Sequence, residues 1–411
     1  MNKLLNSALV LIFVAVLSLS DSTAKAEEKD FDFLLALTQQ DMNMDWWYAV
    51  PAQFGPKIAQ VSQVSKGEIF KVLPIFNNYG LSENKAANIS YSVEIIAPDG
   101  SVDEKVGDIN GYSAEVFGPF LLPATSFIAV AFDPEDMFGE YDVRVTAYDH
   151  IKNQKAFKNQ KITLQKYDLD KQDVELTEWF LSYPSSPKPA LALKAYISPK
   201  RAYFDKDGTL LWSALWFFKT IYSDNEFLIS HTVDFFNKKA NLQQKKDILL
   251  LFHLLNRINE IAVTDDLRGI AAELQQINIP DPYQEINSGS QLDMLWAEYF
   301  ATSKIKPIKH IMTALNLSAH SGTIEKFKSG ELENSGETRS KIHKDAVFQS
   351  ALWSIMSNCR QSELLFQYCV GLYESKELNE IEKRYLGMML RKVSEENQKS
   401  IQPDDRMNNR L

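Results

Sequence analysis

Ser213-Ala214-Leu215-Trp216 returns letter for letter as Ser350-Ala351-Leu352-Trp353, and an internal repeat shapes the expected fold more than any single motif does. Laid without gaps, residues 213–239 fall on 350–376 with eight identities in 27 positions, among them Glu226 on Glu363, Leu228 on Leu365 and Val233 on Val370. Apolar residues also face apolar ones, as at Phe218 and Ile355, Phe227 and Leu364, Ile229 and Phe366, and Phe236 and Tyr373. A third pair, Leu295-Trp296, opens a helix-like run through Thr302 without further agreement.

Within the unit, Leu211, Ala214, Leu215 and Phe218 stand at i, i+3, i+4 and i+7, the spacing of one helix face. Trp212, Trp216 and Phe217 fill much of the other face, so the helix needs cover on more than one side. The repeat's tryptophans therefore read as core. Ser223-Asp224-Asn225 breaks the helix, Phe227–Phe236 forms a second apolar run and Asp247–Val263 a third. In the second copy Ser362 is the expected cap before Glu363–Glu374. Antiparallel helices stacked through short turns follow, with a helical-repeat domain over 209–400.

Residues 1–26 read as a signal peptide: Lys3 is the positive start, Ala8–Leu19 the apolar segment and Ala24-Lys25-Ala26 the cleavage pattern. The apolar run is too short for a comfortable span, and no other stretch approaches spanning length, so a soluble exported chain from Glu27 is expected, periplasmic or secreted. Removing the segment loses Lys3, Lys25 and Asp21 and takes the formal charge from −10 to −11. An acidic surface of mixed charge argues against nucleic acid and anionic lipid as partners.

Residues 27–56 form an N-terminal arm in this reading. Phe31, Phe33, Leu34, Leu35 and Leu37 suit a short amphipathic helix, and Trp46, Trp47 and Tyr48 make an aromatic cluster that becomes an interaction site if exposed. From 57 to 166 the chain changes to short alternating runs, with strands expected near 57–64, 68–76, 88–97, 113–117, 126–132, 140–148 and 159–165. Turn chemistry separates them at Asn77-Asn78-Tyr79-Gly80, Pro98-Asp99-Gly100 and Asp133-Pro134-Glu135-Asp136. Seven short strands without a cysteine pair suggest an immunoglobulin-like sandwich lacking its disulfide. Tyr141, Val143, Val145 and Ala147 are the expected inward row. The fold class is thus α+β multidomain, an N-terminal all-β Ig-like sandwich followed by an all-α helical-repeat domain. Residues 167–208 link the two with short helices, interrupted by Pro184, Pro187 and Pro189, and 401–411 form a disordered tail. Ser318–Ser340, polar and glycine-containing, reads as a mobile loop.

The runs Phe76-Asn77-Asn78-Tyr79-Gly80-Leu81, Ile95-Ile96-Ala97-Pro98-Asp99-Gly100 and Phe132-Asp133-Pro134-Glu135-Asp136, with Gly139-Glu140-Tyr141, resemble a β-sandwich found in exported bacterial proteins. Glu178-Trp179 with Tyr183 and Pro184-Ser185-Ser186-Pro187-Lys188-Pro189, Leu295-Trp296-Ala297-Glu298-Tyr299-Phe300-Ala301-Thr302, and Trp353-Ser354 with Ser357-Asn358 resemble TPR-like helical-repeat segments of bacterial envelope proteins. The resemblance brings no catalytic residue with it. Ser303 departs from it, standing where a glycine is usual.

Six histidines, His150, His231, His253, His310, His320 and His343, show no metal-ligand spacing, and no phosphate-cradling loop, G-x-S-x-G elbow or H-E-x-x-H occurs. Asp205-Lys206-Asp207-Gly208 lacks the glycine and glutamate positions of a calcium loop. No metal, cofactor or catalytic residue is expected. Cys359 and Cys369 fall where the first copy has Tyr222 and Thr232. On one helix they would stand about 15 Å apart, too far to bridge, but a turn at Arg360–Ser362 brings two antiparallel helices together. In an oxidising compartment the pair is a candidate disulfide. The favoured function is a non-enzymatic interaction or scaffold protein that binds a protein partner along its helical groove. An enzyme with its site at the join or in the helical array stays open, as does a binder of a small apolar or glycan ligand using Trp46, Trp47 or the 318–340 loop.

Overall fold

The computed structural model describes residues 29–40, 47, 58–117, 121–170, 175–198 and 212–401. Residues 1–26, expected as a signal peptide, residues 205–208 and residues 402–411 lie outside them. The chain is mixed α+β, sheets in the front part and helices behind.

Two sheets enclose the front core. In the first, β1 (Asp32–Thr38) runs antiparallel to β3 (Phe70–Asn77), with Phe33 opposite Phe76 and Leu37 opposite Val72. The other edge of β3 is shared by β6 (Leu122–Pro123) and β7 (Ile128–Val130). The second sheet has the order β2 (Gln63–Val64), β9 (Gln154–Leu164), β8 (Gly139–Asp149), β4 (Ala86–Ile96), β5 (Val102–Glu115). Only the short β2–β9 pairing is parallel among these neighbours. Tyr141, Val143, Val145 and Ala147 form the expected inward row, with Tyr91, Val93 and Ile95 of β4 beside them. The sheets meet through rings: Phe76 lies 6.5 Å from Tyr91 across the core, and Phe132 4.4 Å from Tyr141. Asp149 ends the inward row as a buried carboxylate that accepts from the backbone N–H groups of Gly80, Ile151 and Lys152, fastening the β8–β9 turn to the loop after β3. The edge strand β5 slips register against β4 at three points and exposes Asp103, Glu104 and Lys105. Bulges and charge keep such an edge from pairing with another chain.

Two expectations change here. Residues 32–38 are the end strand of the first sheet and not an amphipathic helix, because Phe33 and Leu37 on one face bury in the front core while Leu34 faces solvent. The strand expected only at 113–117 begins at Val102 and covers fourteen residues.

Behind the sheets, α1 (Leu176–Ser182) and α2 (Ala192–Tyr196) flank the proline segment. Then follow α3 (Trp212–Asp224), α4 (Phe227–Lys238), α5 (Leu242–Leu254), α6 (Asp265–Leu274), α7 (Gly289–Thr302), α8 (Lys306–Thr313), α9 (Thr323–Lys328), α10 (Gly336–Gln361), α11 (Glu363–Glu374) and α12 (Glu380–Ile401). Short polar side chains start several of them. Ser362 accepts from the N–H of Leu365, and Asn241 and Gln244 bond reciprocally as a capping box. Leu215, Trp216, Phe217 and Phe218 are all buried, so α3 is covered on every side as its sequence requires. Helix α7 divides two helical cores: Met294 and Ala297 belong to one with α1–α6, Leu295, Trp296 and Tyr299 to the other with α8 and α10–α12. The segment 318–340, expected as a loop, contains α9, tied down where the buried Asp345 accepts from the N–H of Ile324. Among the described residues, no helix is long and apolar enough to cross a membrane.

Candidate functional site

Sheets and helices meet at a cleft of about 360 Å³. Gln39, Gln40 and Lys71 line it from the first sheet, Tyr183, Pro184, Pro187 and Pro189 from the proline segment, and Asp224, Asn225, Ser303 and Lys304 from the ends of α3 and α7. Side-chain amides knit its walls together. Gln40 Nε2 donates to the Ser185 carbonyl at 2.8 Å, while Gln40 Oε1 accepts from Ala59 N–H at 2.9 Å. Ser303 Oγ donates to the Pro184 carbonyl at 2.8 Å. The cations are engaged as well, Lys71 with the Gln40 carbonyl at 3.0 Å and Lys304 with Asp224 at 3.4 Å. Behind the wall, the buried Glu68 accepts from Gln39 Nε2 at 2.7 Å and from Ser65 N–H at 2.8 Å. Burial pushes its carboxyl above the usual range, and these two bonds oppose the shift. Prolines shape this segment: Pro189 opens the 3-10 turn Pro189–Leu191 that leads into α2, and before it the Pro184 and Ser185 carbonyls accept the bonds from Ser303 and Gln40.

The repeated tryptophans part company. Trp216 on α3 is 8% exposed: its indole N–H donates to Glu298 of α7 at 3.1 Å, and the Lys219 ammonium sits 3.8 Å from its ring centre. Tyr283 donates to the other oxygen of Glu298 at 2.6 Å. Burial holds Lys219 below the usual ammonium range, opposed by Glu298 and Asp281. Burial, then the bond to Glu298, pushes the Tyr283 phenol up. Trp353, the aligned residue on α10, is 66% exposed. It is the residue that sequence reasoning missed, because composition gives no sign that one copy of a motif lacks the cover the other has.

The aligned pairs at the following turn both meet. Tyr222 and Thr232 touch through their hydroxyls at 3.0 Å between α3 and α4, both buried. Cys359 and Cys369 lie between α10 and α11 as buried free thiols, with sulfurs 3.6 Å apart.

Of the expected interaction aromatics, Trp47 is buried and donates its indole N–H to the Leu121 carbonyl at 3.1 Å, so it packs on the front core. Trp46 and Tyr48 lie outside the described residues. The histidines stay dispersed. His231 stacks on Tyr167 at 4.1 Å, and burial lowers its affinity for a proton. His150 Nε2 stands 2.9 Å from Ser90 Oγ on the outer sheet face, its ring packed edge-on against Tyr148 at 4.6 Å. A nucleophile and base work together when a third group orients the base; here the neighbour is an aromatic ring. Among the described residues, no group of three or more ligating side chains is placed to hold a metal ion.

No protein-family model matches the chain, and no curated protein matches it. Among solved structures it is similar to a family 123 glycoside hydrolase from Clostridium perfringens, analysed for glycolipid glycan hydrolysis, at 8% identity and a TM-score of 0.21. That likeness covers 33% of this chain, and the chain spans only 27% of the hydrolase. Similarity of this extent carries nothing over.

Proposed function

We propose that the chain is an exported, non-enzymatic interaction protein, an Ig-like sandwich followed by helical repeats, whose last repeat docks a helix of a protein partner on Trp353. The carrying observation is the contrast between the aligned tryptophans, one covered by a carboxylate-bearing helix and the other bare. Exposed tryptophans anchor interfaces disproportionately. The side chains beside Trp353 on the exposed face of α10 include Gln349 and Ser350, low in charge and compact enough for a helix to approach. The cover on Trp216 supplies the expected chemistry of the partner: a helix with a Glu or Asp that accepts the indole N–H. Export by residues 1–26, release before Glu27 and residence in the periplasm complete the reading.

Tagged full-length protein recovered from its native envelope, alongside the Trp353→Ala variant, tests it. A discrete protein retained by the wild type and lost from the variant supports the docking face. Equal retention by both, or none by the wild type, rejects it. N-terminal sequencing of the recovered chain separately checks cleavage before Glu27. A second reading is favoured by the cleft at the join, where Lys71, Lys304 and Asp224 surround enough space for a small polar ligand or substrate. A ligand-induced thermal shift abolished by Ser303→Trp would move function to that cleft.

A further inference from the structure

Residues 222 and 232 of the first repeat copy correspond to 359 and 369 of the second. Both pairs bridge the helix that carries the shared Ser-Ala-Leu-Trp motif and the helix after it, one through hydroxyls at 3.0 Å and one through sulfurs at 3.6 Å. The backbone of the unit therefore holds these two positions in contact whatever side chains fill them. We propose that Cys359 and Cys369 are a disulfide-forming pair that locks α10 to α11, oxidised by exchange with the disulfide of a small thiol or a dithiol carrier.

One chain thiolate attacks a sulfur of the oxidant's disulfide, forming a mixed disulfide and releasing the first oxidant thiolate. The other chain thiolate then attacks the chain sulfur of that bond, closing Cys359–Cys369 and releasing the second. The chain pair loses two electrons and two protons, and the oxidant's disulfide becomes two thiols. Bringing the sulfurs to bonding distance takes a movement of about 1.5 Å, within the reach of side-chain rotation. Both sulfurs are closed off in the folded chain. Their mutual contact and burial hold the Cys369 thiol well above its usual range, so it is neutral there. Exchange therefore takes place while α11 is undocked, during folding or local opening.

The full-length chain is refolded in glutathione buffers of increasing oxidised fraction, alkylated in denaturant and weighed intact. The expected result is a monomer that takes no alkyl group until reductant is added. It should melt roughly 5–10 °C above its reduced form, and a Cys359→Ser, Cys369→Ser double variant should melt alike in both buffers. Where refolding yields are poor, the reduced folded chain warmed with oxidised glutathione reads the same outcome. Two alkylated thiols in every buffer, or oxidation ending only in glutathione adducts or linked dimers, overturns the proposal.

Discussion

Glu68 shows what a single buried carboxyl does to this chain. It is held by Gln39 and the Ser65 N–H, yet burial dominates and its proton affinity is raised in the folded state above the ordinary value of 4.5. A raised folded-state value means that protonation favours the native chain. The stability it contributes is fully present below 4.5 and is lost as pH rises through the raised value. Glu68→Gln keeps an acceptor for Ser65 and carries no charge, so its stability relative to wild type should climb as pH rises above the ordinary carboxyl range. Denaturant titrations of both proteins between acid and neutral pH check this, and a difference constant with pH would refute it. The sequence could not single out Glu68, since burial depends on β1, whose residues read as a helix. It could single out Tyr141, Val143 and Val145, because strict alternation against a buried face leaves one orientation only.

At the scale of elements, the caps and breaks were legible and the partners of each helix were not. Ser362 and the break before Phe227 act locally, within one turn, and local chemistry is written in adjacent letters. Helix α9 was hidden because the residue that anchors it, Asp345, lies 21 positions away. Ser303 shows both kinds of information at once. It ends α7 in the left-handed conformation, φ 55°, where glycine is the usual choice. Its hydroxyl also donates to the Pro184 carbonyl, so the side chain joins α7 to the proline segment and explains the departure from glycine. Ser303→Ala keeps the strained backbone and loses the bond, an expected cost of about 1 kcal/mol. Ser303→Gly loses the same bond but relieves about 1 kcal/mol of left-handed strain, and should stay near wild type. Equilibrium unfolding in which alanine matches wild type would show that the hydroxyl contributes nothing, and alanine ranked at or above glycine would show that the left-handed backbone carries no strain.

At the scale of the whole molecule, the sheets and helices touch where Gly67 meets Phe227. The glycine has φ 75°, and a Cβ built on it would lie 3.0 Å from the Cβ of Phe227, a residue buried in the first helical core. A β-carbon cannot be turned aside as a flexible tip can, so a methyl group at 67 must push α4 away from the front unit or distort its own turn. Gly100 supplies the control: it turns β4 into β5 at φ 87° with open space around it. Gly100→Ala should cost only the backbone strain, about 1–2 kcal/mol. Gly67→Ala should cost that strain plus overpacking, roughly 1–3 kcal/mol more. The difference between the two variants in equilibrium unfolding thus isolates the contact across the join. If the two cost the same, the halves do not bear on each other through Phe227, and the join rests on other contacts such as the Gln40–Ser185 bond.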